Sequence, residues 1–257
     1  MRILLWNCCN GLGTQAKVDY LKSLTPDIAV IPEIRKENIE KIKPEDSLWV
    51  TNNHKEGSQK GLGVLSFNGH RLEPLQRDED MELFVPVRLT KAGSSFNLLA
   101  VWNFYHRCKQ GRFKGVKGQE CLEFSAMRHY RHLFTDPCLI AGDWNMGPTF
   151  AQEEFLKLMS LVGESGMKSL YHEHYNLKHH ESKHSTFKGK RKETHFTHHL
   201  DHIFGSKHFY ESKFKFEIDG FKDEIHSDHA ALVLDIDMDI NGYPTLGMPD
   251  DAIPPIA

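Results

Sequence analysis

Residues 138–148 read CLIAGDWNMGP, and the meaning of that stretch decides how the rest of the chain is read. An apolar run ends in an Asp and an Asn two residues apart, with one glycine before them and another after. Pro137, Gly142 and Gly147 read as boundaries. Cys138 to Ala141 read as a short buried strand. Side chains two apart on a strand share a face. Asp143 and Asn145 are therefore expected to project together from the strand end, with Trp144 turned away. Asp, Asn and Gly are also turn residues, so a plain turn fits the same letters. The remainder of the chain has to choose between them.

Bulk properties set the frame. The 257 residues are 26% charged and 39% apolar, an ordinary globular balance long enough for a large core. No run of eighteen apolar residues suggests a membrane span, and MRILLWNCCNG does not read as a signal peptide. Five cysteines (Cys8, Cys9, Cys108, Cys121, Cys138) without C-x-x-C spacing argue against a disulfide scaffold or zinc ribbon and favour a reducing cytoplasm. Net charge is −3, yet residues 107–117 carry five basic residues and no acid, and residues 178–193 carry six basic residues and two acids. An acidic body with two basic segments suggests a local anionic partner.

Along the chain, RILLW, DIAVIPEI, KGLGVLSF, LFVPVRLT, SFNLLAVWN, HLDHIFGS and HAALVLDID read as strands. AKVDYLKSL and QECLEFSAMRHYRHLF read as helices, as does TFAQEEFLKLMSLV with Thr149 at its N-cap. The expected organisation is one layered α/β domain over residues 1–240 and an irregular tail over 241–257. Ten of the seventeen histidines fall between residues 172 and 208, which read as a solvated loop, with a zinc site as the lesser alternative.

Several strands end on a polar residue: Asn7, Glu33, Asp143 with Asn145, Asp201 at a strand start, and Asp228 with His229. Side by side, these oxygens suit a hard cation such as Mg²⁺ or Mn²⁺, and an Asp beside a His suits proton transfer.

The ordered set LLWNCCNG, DIAVIPEI, LIAGDWNMGP, STF…HHLDHIF and HSDHAALVLDI resembles the endonuclease/exonuclease/phosphatase superfamily, with its DNase I-like fold. The resemblance implies a four-layer sandwich of two packed mixed β-sheets flanked by helices, and a Mg²⁺- or Mn²⁺-dependent phosphodiester hydrolase, most readily a nuclease acting on DNA or RNA as a monomer. By the same resemblance Glu33 binds metal with Asp228 beside it. Asn7 lies near metal and phosphate. Asp143 positions or deprotonates the attacking water and Asn145 steadies it. His229 contacts the scissile phosphate and Asp201 orients it. Departures are Cys8 and Cys9 after Asn7, Pro32 before Glu33, and Trp102 where relatives place a His or Tyr near the leaving group; His106, His199 or a water on the metal is left for that role. Arg107, Lys109, Arg112, Lys114 and Lys117 are read as holding non-reacting phosphates, with Phe104, Tyr105 and Phe113 stacking on bases and His199 at the groove. The alternatives are a phosphatase on a small phosphorylated ligand or lipid headgroup, and a degenerate binding module.

Overall fold

Apolar runs with no polar face belong in strands covered on both sides, and the computed structural model shows where the two covers come from. It describes residues 1–51, 59–103, 112–134 and 137–237. Its strands are β1 (Arg2–Leu5), β2 (Ile28–Arg35), β3 (Asp46–Thr51), β4 (Lys60–Ser66), β5 (Arg71–Pro74), β6 (Phe84–Lys91), β7 (Ser94–Trp102), β8 (Cys138–Asp143), β9 (Lys168–Ser169), β10 (Phe187–Arg191), β11 (Thr194–His198), β12 (Asp201–Gly205), β13 (Lys213–Asp219) and β14 (Ala231–Asp237). Its helices are α1 (Gln15–Ser23), α2 (Lys36–Ile42), α3 (Leu122–His129), α4 (Gln152–Glu164), α5 (Leu170–Tyr175) and α6 (Lys207–Tyr210).

The first sheet has the order β13-β14-β1-β2-β4-β3 and the second β5-β6-β7-β8-β12-β9. Each holds one parallel pair, β1 with β2 and β7 with β8, joined through a helix-bearing connection; the other pairs are antiparallel. Alternation sorts the side chains. Ile3, Leu5, Ile28 and Val30 face Leu98, Ala100, Leu139 and Ala141 in the core between the sheets. Leu4, Trp6, Ala29 and Ile31 point the other way, against Val18 and Leu21 of α1 and Ile42 of α2. Leu99, Val101 and Ile140 pack outward against Phe124 of α3 and Phe155 of α4. This is the expected four-layer sandwich. Thr14 caps α1 as its side chain accepts from Lys17 N.

Of the two glycines of the opening stretch, Gly147 lies in the connection between β8 and α4, as a boundary should, but Gly142 does not. Gly142 lies within β8, where a Cβ would sit 2.1 Å from Val101 O. Gly147 passes so close to the next segment that a Cβ would lie 1.8 Å from His199 O. Thr149 does not cap α4: Ala151, in the left-handed region, precedes that helix, and Thr149 Oγ1 is 3.1 Å from His198 Nδ1.

The histidine-rich segment is a solvated loop only in part, over residues 176–184. It contains α5 and the β10–β11 hairpin, and it buries His172, His199 and His202. These rings do not form a metal-ligand group; among the described residues the group that meets that geometry is Asp143, Asp201 and His229. His202 stacks on Phe155 at 4.7 Å, and His199 lies 4.9 Å from His202. The expected tail from residue 241 lies outside the described residues.

Burial lowers His172 and His199 to about 4, and holds His202 well below its ordinary value. These rings stay neutral in the fold and charge in the unfolded chain once pH drops below about 6.5, the unperturbed value. The unfolded state then binds more protons, so their contribution to stability is whole above pH 6.5 and is lost as pH falls from there to about 4. The expected slope is about 1.4 kcal/mol per pH unit per histidine. Denaturant melts of His172→Gln against the unmodified chain between pH 6.5 and 4 should show the variant losing up to one proton's worth of this slope. Identical slopes would contradict it.

Candidate active site

The register of the two sheets assembles the polar strand ends. In the second sheet Asp143 lies beside Trp102 of β7 and directly opposite Asp201 of β12. Asp143 shares the parity of Leu139 and Ala141, and Asp201 that of Ile203, so both carboxylates point into the space between the sheets at its end. In the first sheet Asn7 continues the parity of Ile3 and Leu5 toward the same place. β14 runs antiparallel to β1, which brings His229, just before it, to that end as well.

Hydrogen bonds then join the two sheets. Asn7 Nδ2 donates to Asp143 Oδ2 at 3.0 Å. His229 Nδ1 lies 2.8 Å from Asp201 Oδ2. Ser227 Oγ donates to Asn7 O at 2.9 Å and accepts from His229 N at 3.1 Å. Thr186 Oγ1 accepts from the backbone of Leu200 and Asp201. Asn145 has left the strand for the left-handed region, at φ 50°. Its N–H donates to Asp143 Oδ1 at 3.0 Å and its Nδ2 to Asn103 O at 2.7 Å. The opening stretch is thus both things at once: an Asx-type turn whose two polar side chains enter the cluster.

Glu33 reaches the site through a bulge. On β2, Ala29 and Ile31 point to the helical layer, and simple alternation would send Glu33 after them. The pairing with β4 shifts between Pro32 and Ile34, and Glu33 takes φ 63°. Its carboxylate accepts from Lys60 Nζ at 2.7 Å, Asn10 N at 3.0 Å and Asn7 Nδ2 at 3.5 Å. Burial alone would raise this carboxyl; the bonds from Lys60 and Asn10 outweigh burial and hold it below its usual range. The following loop has positive φ at Cys9, Asn10 and Gly11, and the buried Lys17 ammonium ties it down by donating to the carbonyls of Cys8, Cys9 and Gly11. The Cys9 thiol is raised by burial, by Asp228 and by Glu33. Asp228 lines a cavity of about 680 Å³ with Cys9, Lys188 and Lys222.

The remaining expected residues divide. Trp102 fills the core between the sheets. His199 is 1% exposed, with Nδ1 on His184 O at 3.0 Å, so it does not line an open groove. Arg112 pairs with Asp78 and covers the Phe113 ring at 4.9 Å, and Phe113 is itself buried in the outer core, where no base can reach it. Lys114 and Lys117 are exposed. Phe104, Tyr105, His106, Arg107 and Lys109 lie outside the described residues. Asn103, Lys60 and Ser227 were missed. Asn103 stands at a strand end as the others do, and that signal alone could have found it.

Electrostatics follow from burial. Asp143 is pushed up to about 7 by burial and by the facing Asp201. Burial works against charge on His229, but Asp201, Asp143 and Asp228 raise it to about 10. His229 is therefore an imidazolium at neutral pH, and its share of stability is whole below about 6.5 and is lost as pH rises toward about 10. In metal-free protein the His229 ring resonances should stay in the protonated position through pH 8. Asp201→Asn should bring the titration down toward the ordinary range. A His229 titrating near 6.5 in the unmodified chain would refute the pair.

At the level of sequence, no protein-family model and no curated protein matches the chain. Solved structures do. The endonuclease domain of TRAS1, a telomere-specific non-LTR retrotransposon, is 18% identical with a TM-score of 0.64, covering 93% of this chain and 99% of that one. The 3'-5' exonuclease NExo from Neisseria meningitidis is 14% identical with a TM-score of 0.62, over 93% and 100%. The AP endonuclease LMAP from Leishmania major is 13% identical with a TM-score of 0.68, over 91% and 86%. With two mixed sheets packed face to face between helices and polar strand ends gathered at one edge, the chain has the DNase I-like fold that these structures share.

Proposed function

We propose that the chain is a divalent-metal-dependent phosphodiester hydrolase that cleaves nucleic acid. The observation that carries this reading is the buried Asp143–Asp201–His229 cluster, whose carboxylate and imidazole atoms lie within 4.8 Å of one another, with Asn7 of the other sheet bonded to Asp143. An endonuclease domain, an exonuclease and an AP endonuclease among the solved structures of the same fold support it. We take residues 1–240 as one domain because both sheets share one core, and a reducing, cytoplasmic setting because five cysteines without C-x-x-C spacing suit neither a disulfide scaffold nor a zinc ribbon.

The donor set fits a hard cation. Glu33 offers a carboxylate held ionised by Lys60 and Asn10, and beyond Asn7 the facing Asp143 and Asp201 keep that end rich in oxygen, with Asp201 Oδ1 accepting no hydrogen bond among the described residues. Glu33 and Asn7, with Asp228 beside them, would hold Mg²⁺ or Mn²⁺, consistent with an all-oxygen site. Bound there, the ion supplies charge neutralisation and polarisation of the phosphate. The chain's own residues do the rest. Asp143, held by Asn7 Nδ2 and the Asn145 N–H, takes the proton of the attacking water. Asn145, held by Asn103 O and Asp143, fixes that water's position. His229, charged and held by Asp201, donates to a phosphate oxygen as negative charge grows.

With Mn²⁺ or Mg²⁺ the protein should cleave labelled oligonucleotides, and excess chelator should abolish cleavage. Asp143→Asn should lose on the order of a hundredfold or more in kcat, comparable to loss of one such group. His229→Ala and Asp201→Asn should each cost a similar factor, and the double variant should be little worse than either because the two act as a unit. Full activity in chelator, activity confined to phosphomonoesters, or multiplicative losses in the double variant would overturn the corresponding part of the reading. Melting curves of each variant establish that it is folded.

A further inference from the structure

The β10–β11 hairpin pairs with neither large sheet as a member strand. It is attached at its base, where Phe187 bridges to His229, Lys188 N donates to Asp228 O at 2.8 Å, and Ala230 N donates to Thr186 O at 2.8 Å. A two-stranded ribbon standing off the body is stable only if something supports one of its faces. The register sorts those faces. Phe187 pairs with His198 and Gly189 with Phe196, so Phe187, Gly189, Phe196 and His198 share one face while Lys188, Lys190, His195 and Thr197 share the other.

The first face carries a row of rings leading out of the catalytic cluster. Phe187 is 4.9 Å from the His229 ring, Phe196 is 6.1 Å from Phe187, His198 is 5.4 Å from Phe196, and Phe150 is 5.1 Å from His198. Thr149 Oγ1 at 3.1 Å from His198 Nδ1 links the loop that carries Phe150 to the hairpin. Gly189 makes room for the row: a Cβ there would lie 2.4 Å from Phe196 Cζ and 3.1 Å from Phe187 Cε1, so the two rings lie across its backbone. Phe150 is 41% exposed, one of two large apolar side chains so exposed among the described residues. The hairpin and its turn also hold Lys188, Lys190, Arg191 and Lys192 against the single acid Glu193.

We infer that the Phe187–Phe196–His198–Phe150 row is a stacking surface for unpaired bases of the nucleic-acid strand beside the scissile phosphate. The inference rests on the hydrolase reading and names its substrate class: single-stranded or frayed DNA or RNA. Rings can stack on a base only where the base is released from its own duplex stack. Arg191, which continues the parity of Phe187 and Gly189, and Lys192 at the turn supply positive charge for the backbone that such bases hang from, in a protein whose net charge is otherwise acidic. Contact of the row with His229 places the first stacked base next to the reacting phosphate.

The test is fluorescence anisotropy on the full chain in excess chelator, so that nothing is cleaved. The probes are a labelled oligothymidylate and a blunt duplex of the same length. The unmodified protein should bind the single strand more tightly. Phe150→Ala and Phe196→Leu should each weaken single-strand binding by on the order of tenfold and duplex binding far less, in line with the loss of one stacked base. Phe150 is at the surface, so its variant folds whatever becomes of Phe196→Leu. Duplex bound as tightly as the single strand, or both variants binding the single strand as the unmodified chain does, overturns the stacking surface. Hydrolysis of a small chromogenic phosphodiester by the unmodified protein with Mn²⁺ is measured alongside. Its absence would sink the hydrolase reading, whereas its presence with equal binding of strand and duplex sinks the stacking surface alone.

Discussion

The contact between Asp201 and His229, 2.8 Å long and almost wholly buried, is the constraint around which the active end is arranged. Asp201 begins β12 of the second sheet, and His229 enters β14 of the first. Two carboxylates, Asp143 and Asp201, are placed face to face by strand register, and both are almost wholly buried. Their charge has to be balanced from across the core, and the imidazolium arriving from the other sheet does so. Removing one partner of such a buried pair leaves a charge without compensation, at a cost of about 3–5 kcal/mol. The arrangement that holds the sheet ends together is thus the same one that prepares a donor for phosphate. Stability and chemistry share residues here.

Backbone strain gathers at the same end. Cys9, Asn10, Glu33 and Asn145 all have positive φ, and each borders or enters the cluster. Such conformations cost of order 1–3 kcal/mol each and persist only where the surroundings over-determine them. The surroundings are identifiable: Lys17 ties the loop after β1, the β2–β4 pairing resumes on both sides of the bulge at Glu33, and Asp143 accepts from the Asn145 backbone. The strain re-aims side chains that a regular strand would have directed elsewhere.

The hairpin extends this logic outward. Its base is stitched to residues 228–230, so the ring of Phe187 rests on His229 and the ribbon's orientation is set by the catalytic segment itself. A surface positioned in this way needs no separate mechanism to line up with the reacting group. The buried histidines behind it, His172, His199 and His202, are packing residues that remain neutral, and they make the support beneath the site sensitive to acid.

Sequence alone determined the strands whose apolar runs are covered on both faces, the amphipathic helices, the order of the polar strand ends and, through the ordered motifs, the fold. These are local signals: a buried strand needs apolar residues throughout, and nothing distant alters that need. It did not reveal β3, β5, β9, β13 or the β10–β11 hairpin, which are half-exposed or short and therefore carry little periodicity. Nor did it reveal that Glu33 enters the cluster only through a bulge, that Arg112 is taken up by Asp78, or that Phe113 and His199 turn inward. Those outcomes were decided by tertiary structure. Whether a charge, a ring or an imidazole meets solvent, a counter-ion or a core depends on which strands become neighbours and in what register, and that is a property of the whole packed chain.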